Sequence, residues 1–103
     1  MSNHRKPDQI LLQCIDNALT KFGEGVRESI YYYLKRDFGL DKENIPRKLH
    51  DFQKALTSIF GEQGAKVIKR MILTELKDTL QLENQRNLTF EELVKQLRET
   101  KLY

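Results

Sequence analysis

An all-α domain is predicted by three features of the sequence. Apolar residues recur at spacings of three and four through almost the whole chain. Helix breakers are few, five Gly and two Pro in 103 residues, and most fall between the apolar stripes. Leu, Glu and Lys, all good helix formers, are abundant. Residues 29–34, with three tyrosines, are the one stretch open to a strand reading, and their setting between helical segments argues against it. The length fits a single domain over 1–103. The expected architecture is four core helices over 8–82, arranged as two helical hairpins, with a fifth, amphipathic C-terminal helix over 88–100.

Each element has its own signal. The first helix should run from Pro7 or Asp8 to Phe22, on a stripe of Leu11, Cys14, Ile15, Ala18, Leu19 and Phe22. Asp8 complements the positive end of its dipole, and Gly23 marks its stop. The second helix spans about Gly25 to Phe38, with Val26, Ile30, Tyr33 or Leu34, and Phe38 as its expected inner face. Gly39 ends it, and Asp41 to Pro46 reads as a polar loop. The third helix begins at Arg47 or Asp51 and ends at Phe60, with Leu49, Phe52, Leu56, Ile59 and Phe60 on one side. Gly61 and Gly64 bracket a turn, and the fourth helix follows over Ala65 to Leu82 on Val67, Ile68, Met71, Ile72, Leu76 and Leu80. Residues 83–87 read as a polar link. Thr89 and Glu92 then form a capping box, with Leu88 and Leu93 as a hydrophobic staple, so the last helix starts at Phe90 and runs to about Thr100.

Two segments resemble each other. Ala18-Leu-Thr-Lys-Phe-Gly-Glu-Gly25 and Ala55-Leu-Thr-Ser-Ile-Phe-Gly-Glu-Gln-Gly64 align with two one-residue insertions. Each closes one helix with Phe-Gly and opens the next with Glu. Common design and chance recurrence of a helix-ending motif both remain open.

Composition narrows the function classes. One cysteine excludes an intrachain disulfide. The absence of CxxC and HxxxH spacing argues against a structural zinc site. The longest apolar run, Ile30 to Leu34, is far short of a membrane span, and the start of the chain has no signal-peptide core. A cytoplasmic, cofactor-free domain is expected. Cys14 lies on an apolar stripe and is expected to be a buried thiol, while His50 beside Asp51 reads as a local surface contact. No acid and base pair stands out, and the Gly23-Glu-Gly25 turn lacks the GxxxxGK[ST] of a phosphate loop. The expectation is a non-enzyme.

Two binding readings remain. Eighteen basic and fifteen acidic residues give a net +3, interleaved as on a solvated helix surface. Lys66, Lys69 and Arg70 share one side of a helix and are the candidate contacts for a nucleic acid, the less favoured reading. The favoured one is protein contact, with a homodimer as the simplest case. Tyr31, Tyr32 and Tyr33 spread over too wide an arc to face one core, and Tyr33 is expected inward. Tyr31, Tyr32, Leu73, Phe90, Val94 and Leu97 are therefore the interface candidates, with Leu82, Leu102 and Tyr103 as further exposed positions.

The stretches Phe22-Gly-Glu-Gly-Val-Arg-Glu-Ser-Ile-Tyr-Tyr-Tyr-Leu34, Phe38-Gly-Leu40 with Ile45-Pro46, and Ile59-Phe-Gly-Glu-Gln-Gly-Ala-Lys-Val-Ile68 resemble the archaeal Nitrosopumilus output domain family. The resemblance covers about Leu11 to Leu82. It implies an all-helical module that serves as an output or interaction part of signalling chains, and it brings no catalytic residues.

Overall fold

A computed structural model describes residues 7–80 and 89–99, apart from the side chains of Gln96 and Glu99. All regular structure in those residues is helical: α1 (Pro7–Thr20), α2 (Glu24–Phe38), a 3-10 helix (Lys42–Arg47), α3 (Leu49–Leu80) and α4 (Phe90–Glu99). The expected polar link, the staple residue Leu88, the end of the last helix at Thr100, and Leu82, Leu102 and Tyr103 lie outside the described residues.

The first helix is the hub of the domain, in contact with every other element. Ile10, Leu11, Cys14, Ile15, Ala18 and Leu19 are all buried, as its stripe predicts, while Phe22 lies beyond it and is exposed. Directions follow from cross-contacts. Tyr31 reaches Asp16, and Arg27 reaches Thr20, so α2 returns antiparallel to α1. Cys14 meets Thr79, and Lys21 meets Glu75, so the second arm of α3 also runs antiparallel to α1. These two helices therefore run in the same direction on α1.

Three elements differ from expectation. The segment after Gly39 is a 3-10 helix whose Ile45 and Pro46 are fully buried, because Leu40 and Ile45 anchor it in the core. Gly39 itself takes the left-handed conformation that closes α2, where its N–H donates to the Lys35 carbonyl and the Leu40 N–H to the Leu34 carbonyl, each at 3.0 Å. The four-residue turn expected between Gly61 and Gly64 is a corner at one residue. Gly61 alone breaks the helix (φ 79°, ψ 172°), dividing α3 into arms 49–60 and 62–80. The inner face of α2 is the third difference. Ile30 and Leu34 are buried, but Val26, Tyr33 and Phe38 are exposed by about two-fifths. Tyr31 turns inward in place of Tyr33.

The last helix follows its local code. The Glu92 carboxylate accepts from the Thr89 N–H, and the Thr89 hydroxyl accepts from the Glu92 N–H, at 2.9 and 3.0 Å. Phe90, Leu93, Val94 and Leu97 are buried against α1 and α3. Arg98 then ties the far end of α4 to Asp8 and to the Pro46 carbonyl.

Candidate functional site

The two repeated corners build the most distinctive surface of the molecule. At each, Phe precedes a glycine with positive φ and extended ψ: Gly23 at 105° and 151°, Gly61 at 79° and 172°. An L side chain is strained in that region, so glycine is required twice for the same backbone reason. Each corner redirects the chain and starts a helix with Glu24 or Glu62, where the carboxylate complements the helix dipole. The corners also leave Phe22 and Phe60 outside the core. Between them, α2 and the second arm of α3 leave an apolar groove of about 230 Å³. Ile30 and Ile68 form its buried floor, and Phe22, Val26, Phe60 and Val67 form its open walls. Those four are among seven large apolar residues left exposed in the described chain; the other three, Tyr32, Tyr33 and Phe38, lie on α2. Exposed apolar surface is thus collected on one helix and its groove, the distribution that marks a contact surface.

A polar cluster holds α2 in place behind that surface. Asp16 of α1 accepts from the Tyr31 hydroxyl at 2.9 Å, and Arg27 and Lys42 approach the same carboxylate at 3.4 and 3.5 Å. Arg27 also meets Glu28 at 2.8 Å, and Lys42 lies 4.9 Å from the centre of the Tyr31 ring. One carboxylate therefore ties α1, α2 and the 3-10 helix together. The Arg27 Nε is buried and finds no hydrogen-bond partner among the described residues, so the guanidinium depends on its terminal nitrogens. Burial, then the hydrogen bond to Asp16, pushes the Tyr31 hydroxyl well above the ordinary tyrosine range. Unfolded tyrosine ionises near pH 10, so this contribution is complete below that pH and fades as pH rises through the higher folded value. Absorbance titration of the folded protein is expected to show one phenol ionising well above pH 10, and Tyr31→Phe should remove that late component. A wild-type titration lacking it would contradict the buried hydrogen bond.

The candidates from sequence divide among three places. Tyr32 is 59% exposed and stays available for contact, while Tyr31 is engaged with Asp16. Phe90, Val94 and Leu97 cover the chain's own core, and Leu73 is packed at its edge, so these four do not form a free face. Lys66, Lys69 and Arg70 do come together. With Leu73, Thr89 and Phe90 they line a shallow depression, where Lys69 Nζ stands 5.9 Å from the Phe90 ring centre. A neighbouring cleft is lined by His50, Lys54, Thr57, Ser58, Lys69 and Glu91, among others. Cys14 is buried, as expected, with its sulfur 3.5 Å from the Thr79 hydroxyl and its thiol raised mainly by burial. Among the described residues no three His, Cys, Asp or Glu side chains converge to hold a metal, and no helix is long and apolar enough to cross a membrane.

Sequence reasoning missed the groove. Phe22, Val26, Phe60 and Val67 each fall on a helical stripe and so read as core. The available signal was a surplus: α2 carries apolar residues over more of its circumference than one packed face can bury.

Comparisons with known proteins bear on the family and the fold. The family model described as Nitrosopumilus output domain 5 matches residues 5–99. A crystal structure of PH0832 from Pyrococcus horikoshii OT3 superposes with a TM-score of 0.80 at 26% identity, covering 90% of this chain and 94% of that one. No curated protein matches the chain significantly.

Proposed function

The chain belongs to the Nitrosopumilus output domain 5 family, and on that premise we propose that it is a small, non-enzymatic regulatory module acting through protein contact. In this reading it serves as a cytoplasmic signal-output part, its core is two helical hairpins meeting on α1, and the exposed face of α2 with the adjoining groove is its contact surface. The observation that carries the reading is the gathering of Phe22, Val26, Phe60 and Val67 around one groove. Residues exposed for binding contribute little to folding, whereas residues exposed at the edge of a core contribute much. Measured at high dilution, where no partner covers the groove, a Val26→Thr, Phe60→Gln, Val67→Thr variant is therefore expected to melt within about 4 °C of the wild type. Under the same dilute conditions it should also bind an apolar fluorescent dye several-fold more weakly. A fall of more than about 10 °C would place these side chains in the folding core and overturn the reading.

A second reading rests on the depression lined by Lys66, Lys69 and Arg70. A nucleic acid held there would bind with strong salt dependence. Glu91 at the rim of the adjoining cleft and the acidic start of α4 weaken the local field. Absence of a shift with duplex DNA at low salt would remove this reading.

A further inference from the structure

The occupant of the α2 surface can be argued from α2 itself. Gly25, Ser29, Tyr32 and Arg36 are all exposed and follow one another at spacings of four, three and four. That is the spacing of a helix seam that meets another helix. Small residues fill its first half and large ones its second. Tyr32 and Tyr33 meet edge to face at 5.7 Å, and the Arg36 guanidinium lies 5.3 and 5.0 Å from their ring centres, so the large half is a pre-ordered ridge. The groove beside Val26 borders the small half.

Gly25 is the telling residue. Gly23, Gly39 and Gly61 have positive φ, and a side chain at Gly64 would strike Phe60 at 2.7 Å. Gly25 is helical, and a Cβ there would meet nothing within 4 Å. Within the chain, glycine at that position brings only the entropic cost of a flexible residue in a helix. Close approach of another helix supplies the missing reason.

Charge selects which helix. The first turn of α2 carries Glu24, and its last turn carries Lys35 and Arg36 with one acid, Asp37, bound to Arg36 at 2.8 Å, which leaves that end net positive. An antiparallel copy of α2 sets the acidic start of each helix against the basic end of the other and opposes their dipoles. A parallel copy would place like charges together. Antiparallel pairing centred on Ser29 also sets Gly25 of one copy opposite Tyr32 and Tyr33 of the other, so each ridge enters the groove of its mate. The geometry points to a second copy of this chain as the occupant, in a twofold dimer with α2 packed antiparallel on α2. This inference rests on the contact-surface reading above and names the partner.

Cross-linking and solution mass test it together. Ser29→Cys lies at the twofold axis and is expected to form a disulfide-linked dimer with diamide, nearly completely at micromolar protein. Lys35→Cys, about 18 Å from its mate along the helix axis, is expected to stay uncoupled. Light scattering on the unmodified chain should give twice the 12.2 kDa chain mass. Gly25→Leu should return that mass to one chain while keeping the helical circular dichroism of the folded chain, because a Cβ there meets nothing within 4 Å. A wild-type mass of one chain up to millimolar concentration, or equal coupling of both cysteines, would overturn the dimer. If the groove variant above still folds normally in that case, the surface serves a foreign helix and the contact reading stands. If that variant unfolds, the contact reading itself fails.

Discussion

Phe52→Ala is expected to cost about 3–5 kcal/mol, the range for removing a buried aromatic ring, and to lower the melting temperature by more than about 12 °C. Phe52 lies on the first arm of α3 and is the largest fully buried side chain among the described residues. A domain of this size holds only about 5–15 kcal/mol in total, so the loss is a large share of its stability. Phe52 belongs to one buried cluster with Leu11, Ile15, Leu19, Leu56 and Ile72, each fully buried, which joins α3 to the hub helix α1. Thermal unfolding followed by circular dichroism gives the answer directly. A fall of less than about 4 °C would mean that the site collapses and that α1 is not a rigid hub.

Asp16→Ala should be the most damaging polar substitution, at about 2–3 kcal/mol. The tyrosine hydroxyl loses its acceptor, and Arg27, already short of a partner at Nε, loses its link to α1. Lys42 loses its tie as well. Tyr31→Phe removes a single hydrogen bond and should cost about 1 kcal/mol. The two substitutions share that bond, so the double variant should lose less than the sum of the singles. Strict additivity would show that the cluster is a coincidence of proximity. The same cluster sets the outward face of α2, so Asp16→Ala is also expected to weaken the contact surface without touching it.

What the sequence could reveal followed from the range of the interaction. The α4 cap was fully legible, because Thr89 and Glu92 satisfy each other within one turn. The α1 stripe was legible because a hub helix buries its entire apolar face. Orientation of α2 was not. Its apolar residues occupy two faces, and periodicity alone cannot say which one meets α1. The decision is made by Asp16, which draws Tyr31 inward and leaves Tyr33 outside. That pairing joins positions fifteen residues apart and leaves no local pattern. The Phe-Gly-Glu repeat was visible as a motif, and Gly23 and Gly61 share its backbone role. Gly25 and Gly64 do not: one is open and one is packed on Phe60. The motif therefore marked both corners of the candidate site while hiding that its phenylalanines face outward. Basic residues Lys66, Lys69 and Arg70 were correctly placed on one side of a helix, since spacing on a single helix fixes that directly.

The central claim is that the outer face of α2 and its groove form the contact surface, and that a second copy covers it. Amide chemical shifts recorded from dilute to concentrated protein test both parts at once. Concentration-dependent shifts are expected at residues 22–36 and 60–70, with α4 and the His50 to Ser58 surface unchanged. Shifts centred on α4 or on the Lys66 to Arg70 depression alone, or none up to millimolar protein with a solution mass of one chain, would contradict it.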